Sequence, residues 1–245
     1  MPIEKMSDGS EVEYQIYPLV DKYDDVLHTV TPEFNFESPS VNPASLAVGL
    51  IRTMMHHGGV GLAAPQCGLL HRVFVMGAPN GQGYACFNPK VITTTGMVSF
   101  EEGCLSFKGM YLKINRPDTI EVEYQDMLGK IHRETFGGLT ARTFLHELDH
   151  LNGIVYTSLV DRYTLDKAKS KVKTNLKKLE RQRQAHAKQQ IINQAMQKVI
   201  EESRVAELEK QINLSIPDLK IEIPTIDTMN IQNIPSLLPP SYAGG

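Results

Sequence analysis

The stretch "GGLTARTFLHELDHLNG" (residues 137–153) sets two histidines, His146 and His150, four residues apart with Glu147 beside the first. Leu139 to Leu151 lies between a glycine pair and Gly153, which stops helices well, so the run reads as a helix. Residues four apart on a helix lie one turn above each other on one face. Two imidazoles placed this way can hold one metal ion, and Glu147 sits beside them as a proton carrier. Two ligands do not complete such a centre, so a third is needed from elsewhere.

One zinc-peptidase pattern supplies it downstream, as H-E-x-x-H-x-x-G-x-x-H. This chain matches through Gly153 but carries Tyr156 where the last histidine belongs. The downstream acids Asp161, Asp166 and Glu180 lie in or next to a basic segment. The better candidate is upstream, in Glu101-Glu102-Gly103-Cys104-Leu105-Ser106. A thiolate is a strong soft ligand, and a preceding glycine lets backbone approach closely. Cys67 and Cys86 read as structural, and the other six histidines show no ligand spacing with this site.

The rest of the chain bounds the class. Its 245 residues suffice for one ample domain and an extension, and 41% hydrophobic with 22% charged residues is ordinary for a globular protein. A net charge of −3 gives no general pull toward membrane or DNA. No apolar run approaches the ~20 residues of a membrane span. Met1-Pro2-Ile3-Glu4-Lys5 lacks the basic start and apolar run of a secretory signal. Three cysteines point to a reducing cytoplasm.

Charge marks the organisation. Residues 1–160 hold 11 Lys+Arg against 18 Asp+Glu, residues 161–190 hold 10 against 3, and residues 191–245 hold 4 against 7. The domains are therefore set at 1–160, 161–215 for a basic then mixed-charge helical extension, and 216–245 for a disordered tail with five prolines. Within the first, residues 1–13 read as loose. Residues 41–57 suit a helix with Asn42-Pro43 at its start. "GGVGLAAPQCG" interrupts regular structure, 72–76 and 120–124 read as strands, and "QDMLGK" turns the second into 131–136. Beyond Gly153 no Gly or Pro occurs until Pro217, and the apolar spacing gives one or two long helices.

Three motifs together resemble the peptide deformylase family: Gly59-Val60-Gly61-Leu62-Ala63-Ala64-Pro65-Gln66 as G-x-G-L-A-A-x-Q, Glu102-Gly103-Cys104-Leu105-Ser106 as E-G-C-L-S, and His146-Glu147-Leu148-Asp149-His150 as H-E-x-D-H. The resemblance covers about residues 14–160. Leu145 departs from it, since many relatives carry glutamine there. The resemblance implies an α+β fold, with antiparallel sheets packed around the helix that bears H-E-x-x-H. It implies hydrolysis of the formyl group from N-formylmethionyl nascent peptides, with formate released. Cys104, His146 and His150 would hold one divalent metal ion, Fe²⁺ first, with Zn²⁺, Ni²⁺ and Co²⁺ compatible. Glu147 would move the proton, while the Gln66 amide and the Leu105 N–H would stabilise the oxyanion.

Gly61 would let substrate backbone run alongside as an added strand, with Val60, Leu62 and Gly103 near the substrate. Asp149 and Arg116 are expected to pair and brace the ligands. The basic stretch 162–188 is either a solvated face or a ribosome contact, since nascent substrate emerges there. Two rival readings are a zinc endopeptidase, which lacks its downstream ligand here, and a silent adaptor, which the intact Cys104, Gln66 and Glu147 disfavour.

Overall fold

A computed structural model describes residues 1–6, 9–77 and 83–215. The proline-containing tail lies outside the described residues. The chain divides into two compact units, Met1–Glu180 and Arg181–Gly245.

The first unit is built on a five-stranded antiparallel sheet in the order β3 (Gly61–Ala63), β4 (Val73–Gly77), β5 (Gly83–Thr95), β8 (Thr119–Gln125), β9 (Ile131–Gly137). Strand side chains alternate between faces, and β4 uses both. Val73 and Val75 join a core with Leu46, Leu50 and Met54 of α1 (Pro43–His56). Phe74 and Met76 join another with Ala141, Phe144 and Leu151 of α2 (Gly138–Leu151). The sheet is thus packed between two helices, and α2 is the one that carries the paired histidines. Burying a Leu- or Phe-sized side chain stabilises by roughly 1.5–3 kcal/mol, so these two layers fix where α2 lies.

A smaller antiparallel pair, β6 (Val98–Glu102) and β7 (Leu112–Arg116), aligns Glu102 with Leu112 and Val98 with Arg116. Its apolar side meets a third core of Leu27, Met110, Leu112, Ile114 and Tyr156. Leu165, Ala168 and Val172 pack on that core from α3 (Arg162–Ser215), one helix of 54 residues. Asp161 accepts from the Thr164 N–H at 2.9 Å and so caps the start of α3. In the second unit, described side chains from residue 181 through 212 are exposed. No described helix is long and apolar enough to cross a membrane.

Two expectations need correction. Residues near the start are not all loose: β1 (Ile3–Lys5) pairs with β2 (Glu11–Glu13), and Glu4 is ion-paired with Arg52 of α1. "GGVGLAAPQCG" is also not irregular throughout. Gly61–Ala63 forms an edge strand buried along its length, followed by a 3₁₀ turn, Ala64–Cys67. Backbone pairing, not alternation of side chains, holds both segments.

The end of α2 is tied down. The Leu151 carbonyl accepts from the Thr31 N–H at 2.9 Å and the Thr31 hydroxyl at 3.0 Å. Gly153 then takes φ +69°, and a Cβ there would stand 2.6 Å from the His28 carbonyl oxygen. Only glycine accepts both the left-handed backbone and the close approach. Gly153→Ala should lose at least ~1–3 kcal/mol in urea denaturation, with Gly129→Ala, whose Cβ would meet only the Phe36 ring at 3.2 Å, as a milder comparison.

Candidate metal centre and active site

Residues 102–111 carry the chain from the end of β6 to the start of β7 beside α2. This brings Cys104 to the two histidines: their ligand atoms all lie within 4.8 Å of one another. Cys104 Sγ is 3.3 Å from His150 Nε2. His146 turns its Nδ1 to Glu102 Oε2 at 3.0 Å, which leaves Nε2 for a metal. Burial holds the His150 pKa well below the usual imidazole value, which favours the neutral, ligating form. At His146 burial is outweighed by the hydrogen bonds with Cys104 and Glu102, which raise the pKa to about 10, so a metal has to displace that proton. Thiolate and two imidazoles are a proper set for a divalent transition ion. Two buried polar atoms at the same place, Glu147 Oε2 and His150 Nδ1, have no protein partner among the described residues. The residues present therefore fit a metal centre.

Glu147 is 4% exposed. Burial raises its pKa to about 7, against the lowering influence of His146 and Arg116. A Cβ added to Gly61 would overlap Glu147 Oε1 and stand 2.8 Å from its Cδ, so strand β3 passes directly against this carboxylate. Gln66 is held on both ends. Its Oε1 accepts from the Ala63 N–H at 2.9 Å, while Nε2 points to Cys104 Sγ at 3.3 Å and Ser106 Oγ at 3.2 Å. Its amide hydrogens thus face the ligand sulfur.

A cavity of about 670 Å³ opens over these groups, lined in part by Val60, Gly61, Gln66, Gly103, Leu105 and Glu147. Gly103 is closely packed, since a Cβ there would meet the Tyr111 ring at 2.9 Å. Leu62 does not reach the cavity. It is fully buried in the core with Leu46 and Leu50, where the packing of α1 holds it.

Arg116 and Asp149 lie together, with Nη1 donating to Oδ2 at 2.8 Å. The spacing did not reveal the group between them and the ligands, which is Glu102. Its carboxylate accepts from Arg116 Nε at 2.6 Å and Nη2 at 3.0 Å, from Arg142 Nη1 at 2.6 Å, and faces His146. Burial opposes its charge, but hydrogen bonds from His146 and Arg116 outweigh that and bring its pKa to about 2. Arg142 also donates to the carbonyls of Ile114 and Val98. A sequence signal for this network existed: Arg142 stands four residues before His146, so it shares the buried stripe of the ligand helix. A charge on such a stripe requires a buried partner.

Site and fold together define a class: Cys104, His146 and His150 grouped so that they could hold one metal ion, with a buried glutamate beside a sheet edge. The family model for polypeptide deformylase matches residues 16–166, and the chain belongs to that family. It is 43% identical over 114 residues to a peptide deformylase of Thermotoga neapolitana, covering 46% of this chain and 67% of that one. It is 39% identical over 120 residues to one of Synechococcus sp., covering 47% of this chain but 60% of that protein's length. The crystal structure of a peptide deformylase from Thermotoga maritima superposes with a TM-score of 0.57 at 35% identity, over 60% of this chain and 99% of the other.

Glu102→Gln removes the counter-charge of two buried guanidinium groups. Breaking a buried ion pair from one side costs about 3–5 kcal/mol, and loosening a ligand's hydrogen-bond partner costs about 10–100-fold in metal affinity. Both should appear, the first in denaturation of the metal-free protein and the second in metal titration.

Proposed function

We propose that this protein is a peptide deformylase that hydrolyses the formyl amide of N-formylmethionine on newly made peptides and releases formate. One observation carries the reading: Cys104, His146 and His150 converge beside buried Glu147 in a chain of the polypeptide deformylase family. A divalent ion held there would supply Lewis acidity, polarising the formyl oxygen and lowering the pKa of water from 15.7 toward ~7.

The chain's own residues supply the rest. Glu147, with its pKa raised to about 7, accepts a proton from the attacking water and delivers it to the departing amine. Gln66 Nε2, aimed at the ligand sulfur, and the Leu105 N–H are the donors for the oxyanion. Strand β3 is at the edge of its sheet, so a peptide can add to it alongside Gly61, with Val60 and Gly103 bordering the path. Asp149 steadies Arg116, and Arg116 steadies Glu102 behind His146.

Fe²⁺ is our first assignment for the ion, and the donor set also admits Zn²⁺, Ni²⁺ and Co²⁺. The cysteines are free, in keeping with work in the cytoplasm. On anaerobic purification, metal analysis should find about one ion per chain, with formate released from formyl-Met-Ala-Ser. Glu147→Ala should keep the ion and lose ~10²–10⁴ in rate; Cys104→Ala should lose the ion. Normal turnover in Glu147→Ala, or normal metal content in Cys104→Ala, would defeat the reading.

The basic segment 162–188 supports ribosome contact through phosphates. At roughly 100° per residue, Lys167, Lys171 and Lys178 share the side of α3 opposite its packed residues Leu165 and Val172. Reversing those three lysines to glutamate should reduce co-pelleting with ribosomes and weaken its salt dependence. Unchanged pelleting would leave the segment as a solvated face.

A further inference from the structure

A second cavity of about 670 Å³ lies next to the catalytic one, wholly within Met1–Glu180. Its floor is apolar: Phe107, Met110, Leu165, Val172 and Leu176. Its rim is basic: Lys22, Lys108, Lys169, Lys173 and Lys177, against one acid, Glu180. Lys169, Lys173 and Lys177 follow at intervals of four, so they form one column beside the apolar stripe of α3. This column lies on a different side of the helix from Lys167, Lys171 and Lys178. Among the described residues, none of Lys108, Lys169, Lys173 and Lys177 is ion-paired. The groove thus combines an unpaired row of positive charge with an apolar bed.

Position decides what such a groove is for. Phe107, Lys108 and Met110 line both cavities, so a single loop forms the wall between them. A peptide that leaves the catalytic cavity over this loop enters the basic groove with its next residues. A phosphate backbone would satisfy the lysines but leave Tyr23 and Leu176, the exposed apolar side chains of the lining, uncovered. Alternating acidic and apolar side chains satisfy both surfaces.

We propose that the groove between the 107–110 loop and the start of α3 binds downstream residues of the formylated peptide, and favours segments with acidic beside apolar side chains. This inference rests on the deformylase reading and extends it from the first residues of the substrate to its later ones.

The test uses the full-length, metal-loaded protein and two formyl-Met-Ala-Ser peptides extended to about ten residues. One continues with alternating glutamate and leucine, the other with lysine in place of glutamate. The acidic peptide should have about tenfold higher kcat/KM, expressed mainly in KM, and raised salt should shrink the difference. Lys169→Glu/Lys173→Glu/Lys177→Glu together should reverse the order of the two peptides. Equal kcat/KM for both peptides in the unaltered protein, or a preference that survives the triple change, would overturn the proposal. Equal rates together with oligouridylate binding that the triple change abolishes would assign the lysines to phosphate, and would overturn it too. Formate release from formyl-Met-Ala-Ser in the same preparations separates the two readings: its absence defeats the deformylase assignment itself.

Discussion

One carboxylate holds the centre together. Glu102, at the end of β6, gathers Arg116 from β7 and both Arg142 and His146 from α2. The small sheet and the ligand helix therefore meet at a single buried group, and Cys104 follows that group by two residues. A buried charge cluster of this kind is a poor source of net stability, because removing water from each ion offsets most of the attraction. What it provides is direction. The geometry of two guanidinium groups fixes the carboxylate, and the carboxylate fixes which nitrogen of His146 is left for a metal.

The apolar framework makes that cluster possible. The five-stranded sheet, covered by α1 on one side and α2 on the other, keeps water away from the paired charges. Strand β3 is the edge of this sheet and also lines the cavity at Gly61, so the same backbone that completes the core borders Glu147. On the far side of the 107–110 loop, α3 adds its apolar stripe to the third core. Catalytic cavity and basic groove are thus two sides of one short connection.

Much of this was readable from residue order. The H-E-x-x-H spacing located α2, and the polar, glycine-containing flank of Cys104 singled out the residue that the fold brings to both histidines. Strands with clean alternation, such as β8, were equally plain. Other parts escaped for definite reasons. Strand β5 contains Pro89, which cannot donate to a ladder, and the register shifts there while Asn88 takes φ +48°. Its side chain repairs the break by bonding to Phe34 and Gln125, contacts that no local pattern announces. Strands β1 and β2 are short and polar, so pairing alone defines them. Glu102 stood out only as the first residue of E-G-C-L-S, because its partners lie 14, 40 and 44 positions away. Leu62 looked like a cavity residue because its neighbours are, yet α1 claims it for the core.

Gly61 and Glu147 touch with nothing between them. Any heavier residue at 61 would push the acid aside, so the strand proposed to receive a peptide and the carboxylate proposed to carry the proton are mechanically one part. A substitution at the first disturbs the second. Room to alter a peptide's fit without moving Glu147 lies farther out, at surfaces such as the lysine-edged groove.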